Sequence, residues 1–226
     1  MKRNIRICLS VGEVGRYISH LDVLRTMQRA IRRSRLPIVY SAGFNPIPKI
    51  AFASALPVGV TSEAEYADLQ MQNPIAAAEV KDRLNQVLPA GFQIKAAVEL
   101  PDDYRPLMAV VQAAVYWIKV LKAHDNLNER IAEFLELEEC FITIERKKKK
   151  TMAQKDIRKL IYQLSYIEQE KCIYLECGSG INGNLRPMDL LPFLDLELTD
   201  VLIHRTALLV RAKGDRLVTP FQVIKE

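Results

Sequence analysis

The chain has 226 residues, 49 % apolar side chains and a formal net charge of +5. That length holds one large domain or two small ones with real cores, and no apolar run reaches the ~18 residues of a membrane-spanning helix. The charge excess is modest, so it selects an anionic partner only where the cations are concentrated.

The first predicted element is a strand over about Asn4 to Val11, where Ile5, Ile7 and Leu9 alternate with Arg6 and Ser10. The basic start and this short alternating pattern do not make an export signal, so the cytoplasm is the expected compartment. A turn with Gly12 and Gly15 leads to a helix over "SHLDVLRTMQRAIRRSRLP", with Ser19 as N-cap, Asp22 placed for a capping box and Pro37 closing it. Strand-like pieces follow at Ile38–Tyr40, Lys49–Ala53 and Ala64–Met71. A helix over about Ala76 to Val87 and a strand over Phe92 to Val98 complete the half.

Pro101 and Pro106 bracket a polar link, after which the pattern recurs less regularly. Val110–Val120 reads as a strand, Leu127–Leu137 as a short helix, and Phe141–Ile144 as a strand running into "ERKKKK". Ile157–Gln169 and Lys171–Glu176 read as paired strands, "LRPMDLLPFLD" as a short helix, and Asp200–Arg211 as a closing strand. The expected class is α+β: two tandem ferredoxin-like (βαββαβ) sandwiches, residues 1–100 and a less regular 101–226. The halves share a pattern and no residue identity.

Two basic clusters stand out. In the first helix, Leu24, Met27 and Ile31 share one side, while Arg25, Arg29, Arg32 and Arg33 fall opposite, with no acidic residue after Asp22. Guanidinium forks suit phosphate oxygens, although a solvated face is the plain alternative. The second cluster holds Arg146, Lys147, Lys148, Lys149, Lys150, Lys155, Arg158 and Lys159. Four consecutive lysines suit a hairpin tip that attracts phosphates without reading sequence, or one that only keeps the protein soluble.

The stretch "YSAGFNPIPKIAFASALPVGV", residues 40 to 60, is apolar yet carries three prolines. Pro46 and Pro48 stiffen it, which lowers the entropy cost of binding. Tyr40 and Phe44 are candidates to stack on a base, with Lys49 on a phosphate; the alternative is a rigid cover for a sheet edge. His20, near a helix N-terminus, should favour its neutral form, which suits a general base, a ligand or a packed cap residue. Cys8, Cys140, Cys172 and Cys177 form no C-x-x-C pair, and His124 and His204 stand alone. Buried thiols are the expectation, with no metal site and no cofactor.

The pieces "SHLD" (Ser19 to Asp22), the arginine helix, "GFNPIPK" (Gly43 to Lys49), "ALPVG" (Ala55 to Gly59) and "AEY" (Ala64 to Tyr66) together resemble a bacterial radical-SAM-linked domain family of unknown function. "KDIRKLI" (Lys155 to Ile161) and "HRTALLV" (His204 to Val210) look like later landmarks. Ile47 stands where that family usually has histidine. The resemblance implies a setting of RNA processing and ribosome-related genes, beside or fused to a radical-SAM protein, and hence a place in tRNA or rRNA modification or processing with a separate radical-SAM enzyme. This chain lacks the C-x3-C-x2-C triplet such an enzyme needs, so it reads as a non-catalytic accessory that binds structured RNA. One rival is a metal-independent endoribonuclease resembling those of CRISPR systems, with His20 as base and Lys49 or Arg25 stabilising charge. The other is a module that docks the radical-SAM partner through the apolar loop without RNA.

Overall fold

The computed structural model describes residues 3–122, 124–146, 151–180, 183–212, 214 and 216–225. Its chain order is β1 (Arg3–Val11), α1 (His20–Ser34), β2 (Ile50–Phe52), β3 (Val60–Met71), α2 (Ala77–Asn85), β4 (Phe92–Leu100), a one-turn α3 (Leu107–Val110), β5 (Val111–Val120) and α4 (Leu127–Glu136). Then come β6 (Phe141–Arg146), β7 (Thr151–Asp156), β8 (Ile161–Ile167), β9 (Cys172–Gly178), β10 (Val201–Arg211) and β11 (Leu217–Val218).

The fold is α+β, built on one large mixed sheet of nine strands. Its main path runs β4-β1-β3-β10-β5-β9-β8, with β2 also on β3 and β11 also on β10, while β6 and β7 form a separate hairpin. β3 is the spine. One of its edges pairs with β1 from Ser62 to Met71. The other edge is divided: β2 pairs with residues Ala67 to Leu69, and β10 runs parallel to Val60, Thr61 and Ser62. The two halves of the chain therefore share one sheet.

Strand periodicity sorts the sheet into two faces. Across β3, β10, β5 and β9, Val60, Ile203, Ile118 and Ile173 are register partners, and each is at most 1 % exposed. This face packs on the helices: Val23, Met27, Ala30 and Ile31 of α1 and Val80 and Leu84 of α2 are buried in the same core. Leu24 is only partly covered. The other face is roofed over the N-terminal strands by the linker and the C-terminal residues. There Arg6 forks onto Asp68 at 2.8 and 3.0 Å and also donates to Pro220 O and Arg105 O, while Phe221 meets the Tyr66 ring edge-on at 5.1 Å.

Several elements differ from the sequence expectation. Ile38 and Tyr40 make isolated bridges to Met71 and Pro48 instead of a strand; Val39 between them donates to Gln70 O and accepts from Lys49 N–H, so the segment divides its bonds between two neighbours. α1 ends at Ser34 with Arg35 left-handed, before Pro37. "LRPMDLLPFLD" makes two 3-10 turns, Pro187–Asp189 and Leu191–Leu194, with Pro192 in mid-stretch interrupting any α-helical ladder. β8 starts at Ile161, after a 3-10 turn at Arg158–Leu160. The four cysteines are buried and free, and burial pushes the Cys8 thiol to about 11 and Cys177 to about 12. Among the described residues, no helix is long and apolar enough to cross a membrane.

Candidate nucleic-acid interface

α1 is fixed at both ends. Ser19 Oγ accepts from the Asp22 backbone N–H at 3.2 Å and donates to Asp22 Oδ2 at 2.7 Å. Those bonds to Ser19, with the neighbouring Arg25, hold the Asp22 carboxyl below its usual range. At the C-terminal end, Arg83 of α2 donates to the carbonyls of Ser34 and Arg35. A helix held this way presents its outer face in a defined direction.

Arg25, Arg29, Arg32 and Arg33 are all exposed on that face. Arg25 pairs with Asp22 at 3.0 Å, an i,i+3 contact between exposed groups of little energetic weight. The other three have neutral partners: Arg29 donates to Thr26 Oγ1, Arg32 to Pro46 O at 3.2 Å and Arg33 to Val87 O at 2.7 Å. Backbone and hydroxyl acceptors orient these guanidiniums without cancelling their charge.

The loop after α1 is stapled at its base. Ser41 N–H donates to Ile47 O at 2.9 Å, and Ile47 N–H donates to Ser41 Oγ at 3.1 Å. Gly43 sits at φ 115°, a backbone region that favours glycine, and Phe44 beside it is fully exposed. Tyr40, Ile47 and Lys49 are exposed on the same loop. A groove of about 420 Å³ lies between the loop and α1, lined by Leu24 and Gln28 on the helix and by Ser41, Ile47 and Lys49 opposite. The Arg32–Pro46 bond ties the loop to the arginine face, so the first cluster and Phe44 belong to one surface.

Other candidates lie elsewhere. Arg158 is half-buried in the C-terminal half and donates to Leu135 O at 2.9 Å. Lys147, Lys148, Lys149 and Lys150 lie outside the described residues, although the strands on either side of them pair as a hairpin. His20 is half-buried with its ring edge-on to Phe52 at 5.5 Å. Burial favours its neutral form and Arg205 pushes the same way, while Glu65 opposes.

A network that sequence reasoning missed lies beneath the start of α1. Arg205 donates to both oxygens of Glu65 at 2.9 and 3.2 Å, to Tyr116 OH from two nitrogens and to Ala55 O, and Ser62 donates to Glu65 at 2.6 Å. Its signal was faint: Glu65 and Arg205 stand among other polar residues of β3 and β10, such as Glu63, Asp68 and His204, and nothing local pairs them. Among the described residues, no group of histidines, cysteines and carboxylates is arranged to hold a metal ion.

No curated protein matches this sequence. A solved structure of a Cbf5-Nop10-Gar1 complex contains a chain that is 11 % identical, matched over 90 % of this chain with a TM-score of 0.44; the match spans 48 % of that chain. A family model covers residues 4–187. The chain thus belongs to DUF2344, a family described as an uncharacterized protein conserved in bacteria.

Proposed function

We propose that this protein is a non-catalytic, cytoplasmic RNA-binding accessory that presents a structured RNA, tRNA or rRNA, to a separate radical-SAM enzyme. The observation carrying this reading is the continuous surface formed by the exposed α1 arginines and the stapled loop that projects Phe44. Guanidiniums with neutral partners remain available to phosphates. Phosphate contacts set position more than sequence choice, so discrimination would come from RNA shape.

The strand order supports two fused ferredoxin-like units. The N-terminal strands follow β4-β1-β3-β2 and the C-terminal strands β10-β5-β9-β8, with neighbours antiparallel inside each set. In the second set the β6–β7 hairpin is inserted before β8, and 3-10 turns stand where a second helix would lie. The partner enzyme rests on the sequence resemblance and on the missing cysteine triplet. Catalysis through His20 has less support, since its ring makes no hydrogen bond among the described residues. Phe44 favours one second reading, in which this apolar tip docks the partner enzyme and RNA plays no part.

Measuring affinity for a tRNA against salt decides between them. Wild type should show a steep negative slope. The triple variant Arg25→Ala, Arg29→Ala, Arg32→Ala should be shallower by ~2–3 units, since each phosphate contact contributes ~0.7–0.9. An unchanged slope would remove the arginine face as the site.

A further inference from the structure

The sheet has a second feature that the arginine face does not use. Thr61, His204, Trp117, Tyr174 and Ser165 are successive register partners on β3, β10, β5, β9 and β8. They form a straight row across five strands, on the face opposite the buried row of Val60, Ile203, Ile118 and Ile173. His204, Trp117, Tyr174 and Ser165 are each partly exposed. Thr61 Oγ1 lies 2.8 Å from His204 Nδ1, and the Trp117 and Tyr174 rings meet edge-on with centroids 6.3 Å apart.

We infer that this row is a platform for unpaired RNA nucleotides, with bases stacked on Trp117 and Tyr174. The inference rests on the RNA-binding reading and assigns it a second contact surface and a substrate class. The spacing is suitable: neighbouring strands lie ~4.8 Å apart, so the two rings occupy adjacent positions along the row. Open sheets that carry aromatic side chains take single-stranded RNA this way, because every base offers a π-face.

The surroundings favour nucleotides over an apolar protein surface. Beyond His204 the row enters a depression of about 430 Å³ whose lining includes Ser10, Thr61, Glu63, Gln93 and His204. Those side chains match the donors and acceptors of base edges. Glu63 and Glu13, which also line the depression, would accept from base amino groups and keep phosphates out. Lys119, two residues beyond Trp117 on the same side of β5, is exposed and placed for the backbone. Glu176 also sits on this face and accepts from the Tyr174 hydroxyl at 3.3 Å, which orients that ring.

Trp117 is the sole tryptophan of the chain, so its emission reports on this surface without a label. The full chain is titrated with a short single-stranded oligouridylate and, separately, with a blunt RNA duplex. Trp117 emission is followed together with the anisotropy of end-labelled RNA. The single strand should quench Trp117 saturably and the duplex should not. Trp117→Leu and Tyr174→Leu, which keep an apolar side chain on the sheet, should each weaken single-strand binding about fivefold to hundredfold. Three outcomes overturn the platform: binding with an arginine-dependent salt slope but constant Trp117 emission, equal quenching by the duplex, or leucine variants that bind like wild type. Absence of RNA binding by either readout would instead remove the RNA-binding reading itself, and the platform with it.

Discussion

Arg205 and Glu65 stand 140 residues apart in the chain and meet at 2.9 Å, with side chains 1 % and 2 % exposed. They join β10 to β3 where the two halves share the sheet, beside the parallel register of Arg205 with Ser62. A buried charge that loses its partner is left unsolvated, so Arg205→Met should cost about 3–5 kcal/mol. Adding Glu65→Leu to that variant should recover much of the loss, because a paired apolar replacement leaves no stranded charge. Urea unfolding followed by circular dichroism checks both, and the wild type should unfold in one transition. Two separate transitions would mean that the seam does not couple the halves.

Phe44 separates stability from binding. Its side chain is fully exposed at the tip of a loop whose closure uses Ser41 and Ile47. Phe44→Ser should therefore leave the free energy of unfolding within about 0.5 kcal/mol of wild type. If the ring stacks on a base, the same change should weaken RNA binding by about 1–3 kcal/mol. Equal affinity for tRNA in the two proteins would take the loop out of the RNA surface.

His20 gives a pH dependence with a defined sign. Burial lowers its pKa below 6.5, with Arg205 acting in the same direction and Glu65 against it. A depressed histidine pKa means that the folded state holds fewer protons than the unfolded chain. Its contribution is therefore fully present above 6.5 and is lost as pH falls through the lower folded value. Stability should decline on acidification below that point, and His20→Phe should flatten the decline. NMR titration of the His20 ring gives the midpoint directly; a value above 6.5 would refute the burial argument.

Much of the sheet was legible because its strands alternate or run apolar: β1, β5 and β10 fall near the expected ranges. The arginine face was legible because one helix carries it at fixed periodicity. The seam was not legible, because Glu65 and Arg205 meet through a β3–β10 pairing that no local pattern encodes. The aromatic row was hidden for the same reason: Trp117, Tyr174 and His204 are isolated in sequence and become neighbours only through register. Pro192 broke an expected helix, and the strand expected from Ile157 begins only at Ile161, after the turn at Arg158–Leu160; local apolar content predicts burial more reliably than it predicts ladder geometry.

Arg83 tests whether the arginine face depends on the helix that bears it. The last carbonyls of α1 have no intrahelical donors. Arg83 supplies them: Nε and Nη2 donate to Ser34 O at 3.0 and 2.7 Å, and Nη2 reaches Arg35 O, while Nη1 stays with Glu79 at 3.1 Å. The charge also sits at the negative end of the helix dipole. Arg83→Met should cost about 1–3 kcal/mol. Arg83→Lys should restore only part, because a single ammonium nitrogen lacks the planar spread of three nitrogens that reaches both carbonyls and Glu79 at once. RNA affinity should fall as the last turn of α1, with Arg32 and Arg33, loses its anchor. The salt slope should stay within about one unit of wild type, since Arg83 is committed to carbonyls and not to phosphate. A full loss of slope in Arg83→Met would make Arg83 itself a phosphate contact and its role as a helix anchor secondary.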